Sequence, residues 1–152
     1  MRAMALPETI PDISHAIQLA VAPVFLLTGI AGLLGVMTNR LARIIDRGRY
    51  FELHWRELDE GAQAAAHAEM ASLERRRRLA SRAINACTFA ALLVCLVVAT
   101  LFTEALLNLP LKWVAGVLFL VSMLALISGL GAFLREVYLS THVVRLRRAD
   151  AP

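Results

Sequence analysis

Apolar residues gather into three long runs, Ile13–Met37, Ile84–Leu109 and Leu111–Leu134, and almost no charge interrupts them. Each run reaches the roughly 20 residues that an α-helix needs to cross a hydrocarbon core of about 30 Å. The pattern predicts an all-α integral membrane protein with three transmembrane helices. Residues 38–83, between the first two runs, are polar but periodic. Leu41, Ile44, Gly48, Phe51, Trp55 and Leu58 recur at steps of three and four. Ala66, Met70, Leu73, Arg77, Ala80 and Ile84 do the same on the return. Both series fit helices with a narrow apolar seam. Gly61, near the middle, is placed to end the first of them. The expectation is an antiparallel helical hairpin about 30 Å long, each arm continuous with a span. Residues 1–12 form a short leading segment and residues 135–152 a basic tail.

Local signals refine the spans. Asp12 or Ser14 is placed to cap the first helix through a short side-chain oxygen. Pro23 removes an intrahelical hydrogen bond and is expected to bend it. Gly29, Gly32 and Gly35 are spaced to let a neighbouring backbone approach closely. Pro110 suits the first turn of the third helix, where its missing N–H is harmless. Along that helix Ala115, Leu118, Ser122, Ala125, Gly129 and Ala132 form a stripe of mostly small residues. Glu136, seven residues after Gly129, falls on nearly the same face, which brings it toward Arg40 and Arg43.

Charge sets the expected orientation. Residues 38–83 hold Arg40, Arg43, Arg47, Arg49, Arg56, Arg75, Arg76, Arg77, Arg78 and Arg82, and the tail adds Arg135, Arg145, Arg147 and Arg148. Only Arg2 and Lys112 lie on the other side. Cytoplasmic loops collect Lys and Arg. The N-terminus is therefore expected outside, the hairpin in the cytoplasm, the Leu109-Pro110 turn outside and the C-terminus inside. The first run is too long for a signal core and ends in Thr38-Asn39-Arg40 without a small-residue cleavage site, so it reads as a retained anchor.

Composition adds exclusions. Of 152 residues, 59% are hydrophobic and mean hydropathy is +0.63, too apolar for a soluble domain of this size. The net charge of +4 is explained by the basic segments beside the spans, and no nucleic-acid motif or aromatic platform accompanies it. Cys87 and Cys95 are about 12 Å apart along one helix, too far for a disulfide within it. They read as small buried or lipid-facing residues, with no metal or other cofactor implied.

Catalytic signals are poor: the chain has no phosphate-cradling glycine loop, nucleophile elbow or HExxH. No ionisable residue lies in the middle of a span, which argues against proton- or voltage-coupled work. His15 and Gln18 share a face near the outer end of span one and form a candidate polar site for an ion, a headgroup or a proton. Glu104 and Lys112 sit by the outer turn. Asn85, Thr88, Cys95, Thr100 and Thr103 give span two a mild polarity that could line a pore, although such hydroxyls commonly bond their own backbone. Arg40, Arg43, Asp46, Arg47, Arg135 and Glu136 are candidates for an ion-pair network between helices. Arg75, Arg76, Arg77, Arg78 and Arg82 are candidate contacts to anionic lipid, worth about 1 kcal/mol per basic residue at a charged surface.

Several stretches carry a resemblance. Ile17-Gln18-Leu19-Ala20, Ala22-Pro23-Val24-Phe25-Leu26-Leu27, Asn39-Arg40-Leu41-Ala42-Arg43-Ile44-Ile45-Asp46-Arg47, Glu74-Arg75-Arg76 and Phe133-Leu134-Arg135-Glu136 resemble a family of small bacterial inner-membrane proteins catalogued as a domain of unknown function. The resemblance covers most of residues 10–140 and implies a bacterial inner membrane and three spans. It supplies no activity, substrate or catalytic residue. Gly35 departs from the family pattern, which often has Asn there. Two functions compete: a homo-oligomeric structural or regulatory membrane module, and an oligomeric channel or permeation pathway. A membrane enzyme is a distant third.

Overall fold

The computed structural model describes residues 9–55 and 60–149, without the side chains of residues 9–12, 60, 62, 64 and 139–149. The described residues form three helices, α1 Thr9–His54, α2 Glu60–Leu107 and α3 Lys112–Ala149, and no strand. Each contains a stretch long and apolar enough to cross a membrane. The protein is an all-α, multi-pass membrane protein.

α1 begins at Thr9, so Asp12 and Ser14 lie inside the helix and neither is its cap. Pro11 falls in the first turn, where its missing N–H breaks no intrahelical bond. Gly61 likewise lies in the first turn of α2 and does not end α1, which stops at His54. Leu58 and Arg56 lie outside the described residues. α2 ends at Leu107 because Asn108 takes a left-handed conformation, φ 51°, which turns the chain away from the helical path. Asparagine tolerates that region because its short polar side chain bonds locally. Ala115 then donates its amide to Leu111 O at 3.1 Å, which makes Leu111 the first carbonyl of α3.

The helices contribute to two compact units. The first comprises α1 before Leu33 with Thr88–Ala125. Its interior is made by Ala16, Ala20 and Ile30 of α1, Ala90, Leu93, Val94, Val97 and Ala105 of α2, and Ala115 and Ser122 of α3. Ser122 stays satisfied by donating to Phe119 O at 2.7 Å. The second unit comprises Leu33–Cys87 with α3 from Leu126. It contains the hairpin, whose seam holds Ile44, Phe51, Ala66 and Leu73 with Trp55 and Met70 packed against it.

The α1 series fits a heptad well: Ala16, Ala20, Pro23, Ile30, Met37, Ile44 and Phe51 are all buried. So does α3, where Ala115, Ser122, Gly129 and Glu136 are buried at strict seven-residue steps. The α2 series does not keep one register. Ala66, Met70 and Leu73 follow the expected seam, but the inward positions then become Arg76, Ala80, Ala83 and Cys87, and not Arg77 and Ile84. Two successive steps of three rotate the inner face by one position. The cause is the arrival of α3. Among the described side chains, the seam of α2 below Arg76 packs against α1, and from Arg76 onward α2 also contacts α3, through Glu136 and Gly129.

Gly129 is where that contact is closest. A Cβ there would lie 2.7 Å from Cys87 Sγ, 3.2 Å from Ala83 O and 3.3 Å from Ala86 Cβ. Gly29, Gly32 and Gly35 do not play this role within the chain. All three are exposed, and a Cβ on any of them meets nothing within 4 Å. α1 instead turns Ala16, Ala20, Ile30, Met37 and Ile44 inward.

Candidate functional site

The most constrained polar group in the second unit is Glu136 of α3. Its side chain is 1% exposed. A carboxylate removed from water requires charge compensation and hydrogen bonds. Arg76 of α2 supplies most of it, donating from Nε at 3.1 Å and from Nη2 at 3.0 Å to Glu136 Oε1. Arg40 of α1 supplies the rest, its Nη1 lying 3.4 Å from Oε2. That distance is an ionic contact and not a hydrogen bond, so Oε2 is buried without a hydrogen-bond partner. Arg40 also lies over the Phe133 ring, 5.6 Å from its centroid. One carboxylate therefore draws together an arginine from each of the other two helices.

Sequence explains the convergence. Arg40 follows Met37 by three residues on the inward face of α1, and Glu136 continues the buried stripe of α3. Arg76 reaches the same point because of the register shift in α2. Among the other candidates for the ion-pair network, Arg43, Asp46 and Arg135 are exposed and form no ion pair among the described residues. Arg47 pairs with Glu69 across the hairpin, Nε to Oε1 at 3.1 Å, and lies 4.7 Å from the Phe51 ring centroid.

The arginine run of α2 is split by this arrangement. Arg75 and Arg82 are exposed. Arg77 and Arg78 are exposed and reach Glu74 at 3.5 and 3.8 Å, surface pairs of small energetic weight. Arg76 differs from its neighbours in that its guanidinium is engaged by the buried Glu136. A uniform run of four arginines hides this. Only the burial periodicity beyond Leu73 could have separated Arg76 from its neighbours.

In the first unit, a cavity of about 590 Å³ is lined by His15, Leu19, Leu101, Glu104, Asn108 and Lys112 among others. His15, Glu104 and Lys112 share its wall without forming an ion pair. Gln18 is exposed and does not line it. Thr100 donates to Leu96 O at 2.7 Å and Thr103 to Ala99 O at 2.8 Å, so the hydroxyls of span two bond their own helix. Cys87 is buried and Cys95 exposed, both as free thiols. Among the described residues, no group of three His, Cys, Asp or Glu is placed to hold a metal ion.

A family model described as "Protein of unknown function (DUF2721)" matches residues 20–146. The chain belongs to that family. The match spans α1 from Ala20, all of α2 and α3 to Leu146, and so includes Arg40, Arg76 and Glu136. No curated protein and no solved structure matches the chain.

Proposed function

We propose that this family member is a homo-oligomeric structural or regulatory module of a bacterial inner membrane, acting by assembly and not by catalysis. One observation carries the reading. α1 has Gly29, Gly32 and Gly35 on an open, apolar surface, where a Cβ meets nothing in the chain. In lipid, helices associate through close packing of small residues, since hydrocarbon gives no hydrophobic drive. A second copy of the chain supplies the neighbour that this surface lacks. Exposed Val36 and Phe25 on the same helix offer flanking contact area. The proposed orientation has the N-terminus outside and the hairpin and C-terminus in the cytoplasm, as the arginine distribution favours.

The test is the stoichiometry of purified protein in nanodiscs, compared between wild type and Gly32→Leu. The variant adds bulk where the monomer has room, so the monomer fold should persist while the oligomer is lost. An unchanged stoichiometry, or a monomeric wild type, sinks the reading. The alternative is a permeation pathway through a ring of subunits. It receives less support, because Thr100 and Thr103 are occupied by their own backbone. Reproducible ion-selective currents from purified protein in planar bilayers would favour it.

A further inference from the structure

A cavity of about 350 Å³ opens in the second unit beside the Glu136 cluster, and four of the residues lining it are arginines. Arg40, Arg43 and Arg47 come from α1, Arg76 comes from α2, and Glu69 is the one acid in the lining. Glu136 contacts Arg40 and Arg76 from α3. Four guanidinium groups thus face two carboxylates, an excess of two positive charges. Like charges gathered around a concave site raise the local anion concentration and favour an anionic occupant.

The ion pairs inside the cluster leave donors over. Each guanidinium has five N–H groups in a planar fork. Arg76 uses Nε and Nη2 on Glu136, and Arg47 uses Nε on Glu69. Arg43 is exposed and has no partner among the described residues. The carboxylates therefore orient three of the arginines without saturating them, and Arg43 is unengaged among the described residues.

We propose that Arg40, Arg43, Arg47 and Arg76 form a binding site for a phosphate group, carried by an anionic lipid headgroup or present as a free ion. Phosphate suits the site better than a second carboxylate. A free phosphate or phosphomonoester presents three or more acceptor oxygens and a phosphodiester two with tetrahedral spread, and arginine forks bind them through paired hydrogen bonds. The excess of two charges matches a phosphomonoester or accommodates a phosphodiester. Position agrees with a headgroup. Arg40 to Arg47 lie three to ten residues past Met37, about 5–15 Å beyond the apolar run at 1.5 Å per residue. The polar layer of a bilayer extends about 5–7 Å beyond its hydrocarbon core, so Arg40 falls within that layer and Arg43 near its outer edge. Glu136 acts as a positioning residue, holding Arg40 and Arg76 for the anion without binding it, whereas Glu69 lines the cavity and competes with the anion for Arg47. The site is formed within one chain and does not depend on oligomer formation.

The experiment is a calorimetric titration of purified full-length protein in an uncharged, phosphate-free detergent. Two probes are used, inorganic phosphate and a short-chain phosphatidylglycerol below its micellar concentration. Saturable binding of one probe per chain is expected. Arg43→Gln should weaken it about tenfold, the worth of a charge-assisted hydrogen bond, while Arg75→Gln should change it less than about twofold. Glu69→Gln removes the competing acid and should tighten binding severalfold. If phosphatidylglycerol binds and inorganic phosphate does not displace it, the source is a lipid headgroup. If inorganic phosphate saturates the site and displaces the lipid, the source is the free ion. Failure of both probes to saturate overturns the site. Equal losses in Arg43→Gln and Arg75→Gln overturn it too, since they would reveal diffuse attraction to charge. Arg43 is exposed and has no partner among the described residues, so a loss of folding does not confuse the result.

Discussion

Gly129 of α3 faces Cys87 of α2 so closely that a Cβ on Gly129 would lie 2.7 Å from the Cys87 sulfur. The fit is made by the absence of a side chain on one helix and a small side chain on the other. Gly129→Ala should therefore destabilise the protein by about 1–3 kcal/mol, the usual range for overpacking. Cys87→Ala in the same chain should recover part of that loss. Full recovery is not expected, because Ala83 O and Ala86 Cβ remain at 3.2 and 3.3 Å. Thermal unfolding of the single and double variants in detergent measures both effects. Gly131→Ala, where nothing lies within 4 Å, is the control.

The buried carboxylate sets a second expectation. Arg76→Gln leaves Glu136 with only the longer contact to Arg40, and breaking a buried pair by removing one partner typically costs about 3–5 kcal/mol. Arg77→Gln, one residue on, should change stability by less than about 1 kcal/mol because its pair with Glu74 is exposed. Glu136→Gln combined with Arg76→Gln should show a coupling of about 0.5–3 kcal/mol. Additive losses in that cycle would mean that the pair contributes no specific interaction.

The hairpin seam can be tested apart from the spans. Phe51 is buried with Ile44, Ala66 and Leu73, and Arg47 lies over its ring. Phe51→Asp places a charge in that seam, at a cost of several kcal/mol if it stays buried. Faster proteolysis within residues 44–73 is expected, with the apolar spans still protected by detergent. Unchanged proteolysis and melting would argue against a packed seam.

Topology follows from where arginine is placed. In a chain with Cys87 and Cys95 replaced by Ala, single cysteines at positions 5 and 110 should react with an impermeant thiol reagent added outside intact cells. A cysteine at position 62 should react only after the membrane is opened. The reverse pattern would invert the orientation that the positive-inside rule assigns.

Much of the fold is legible in the chain because lipid imposes simple requirements. The length of the apolar runs announces the spans, and the seven-residue recurrence from Ala115 through Gly129 carries the buried face on to Glu136. The pairing of Glu136 with Arg40 follows from that recurrence. The part played by Arg76 does not. The α2 seam changes register where a third helix joins, and a heptad extrapolated from Met70 and Leu73 selects Arg77. Asn108 is hidden for another reason: a single left-handed residue leaves no periodic trace, and Pro110 draws attention to the neighbouring position. Gly29, Gly32 and Gly35 mark a surface that permits close approach, but their spacing carries no information about which helix arrives. Gly129 owes its intrachain neighbour to the opposing Cys87 and Ala83, which no pattern within α3 could disclose.

The order of residues around Glu136 bears on how the protein is made. Both of its arginine partners precede it in the chain, on the two helices synthesised first. As each span leaves the insertion machinery, Arg40 and then Arg76 must wait beside the membrane without their common carboxylate. The last helix brings that carboxylate, so its docking completes the charge balance at a single late step. A chain truncated before Glu136 would keep Arg40 and Arg76 without the carboxylate that draws them together.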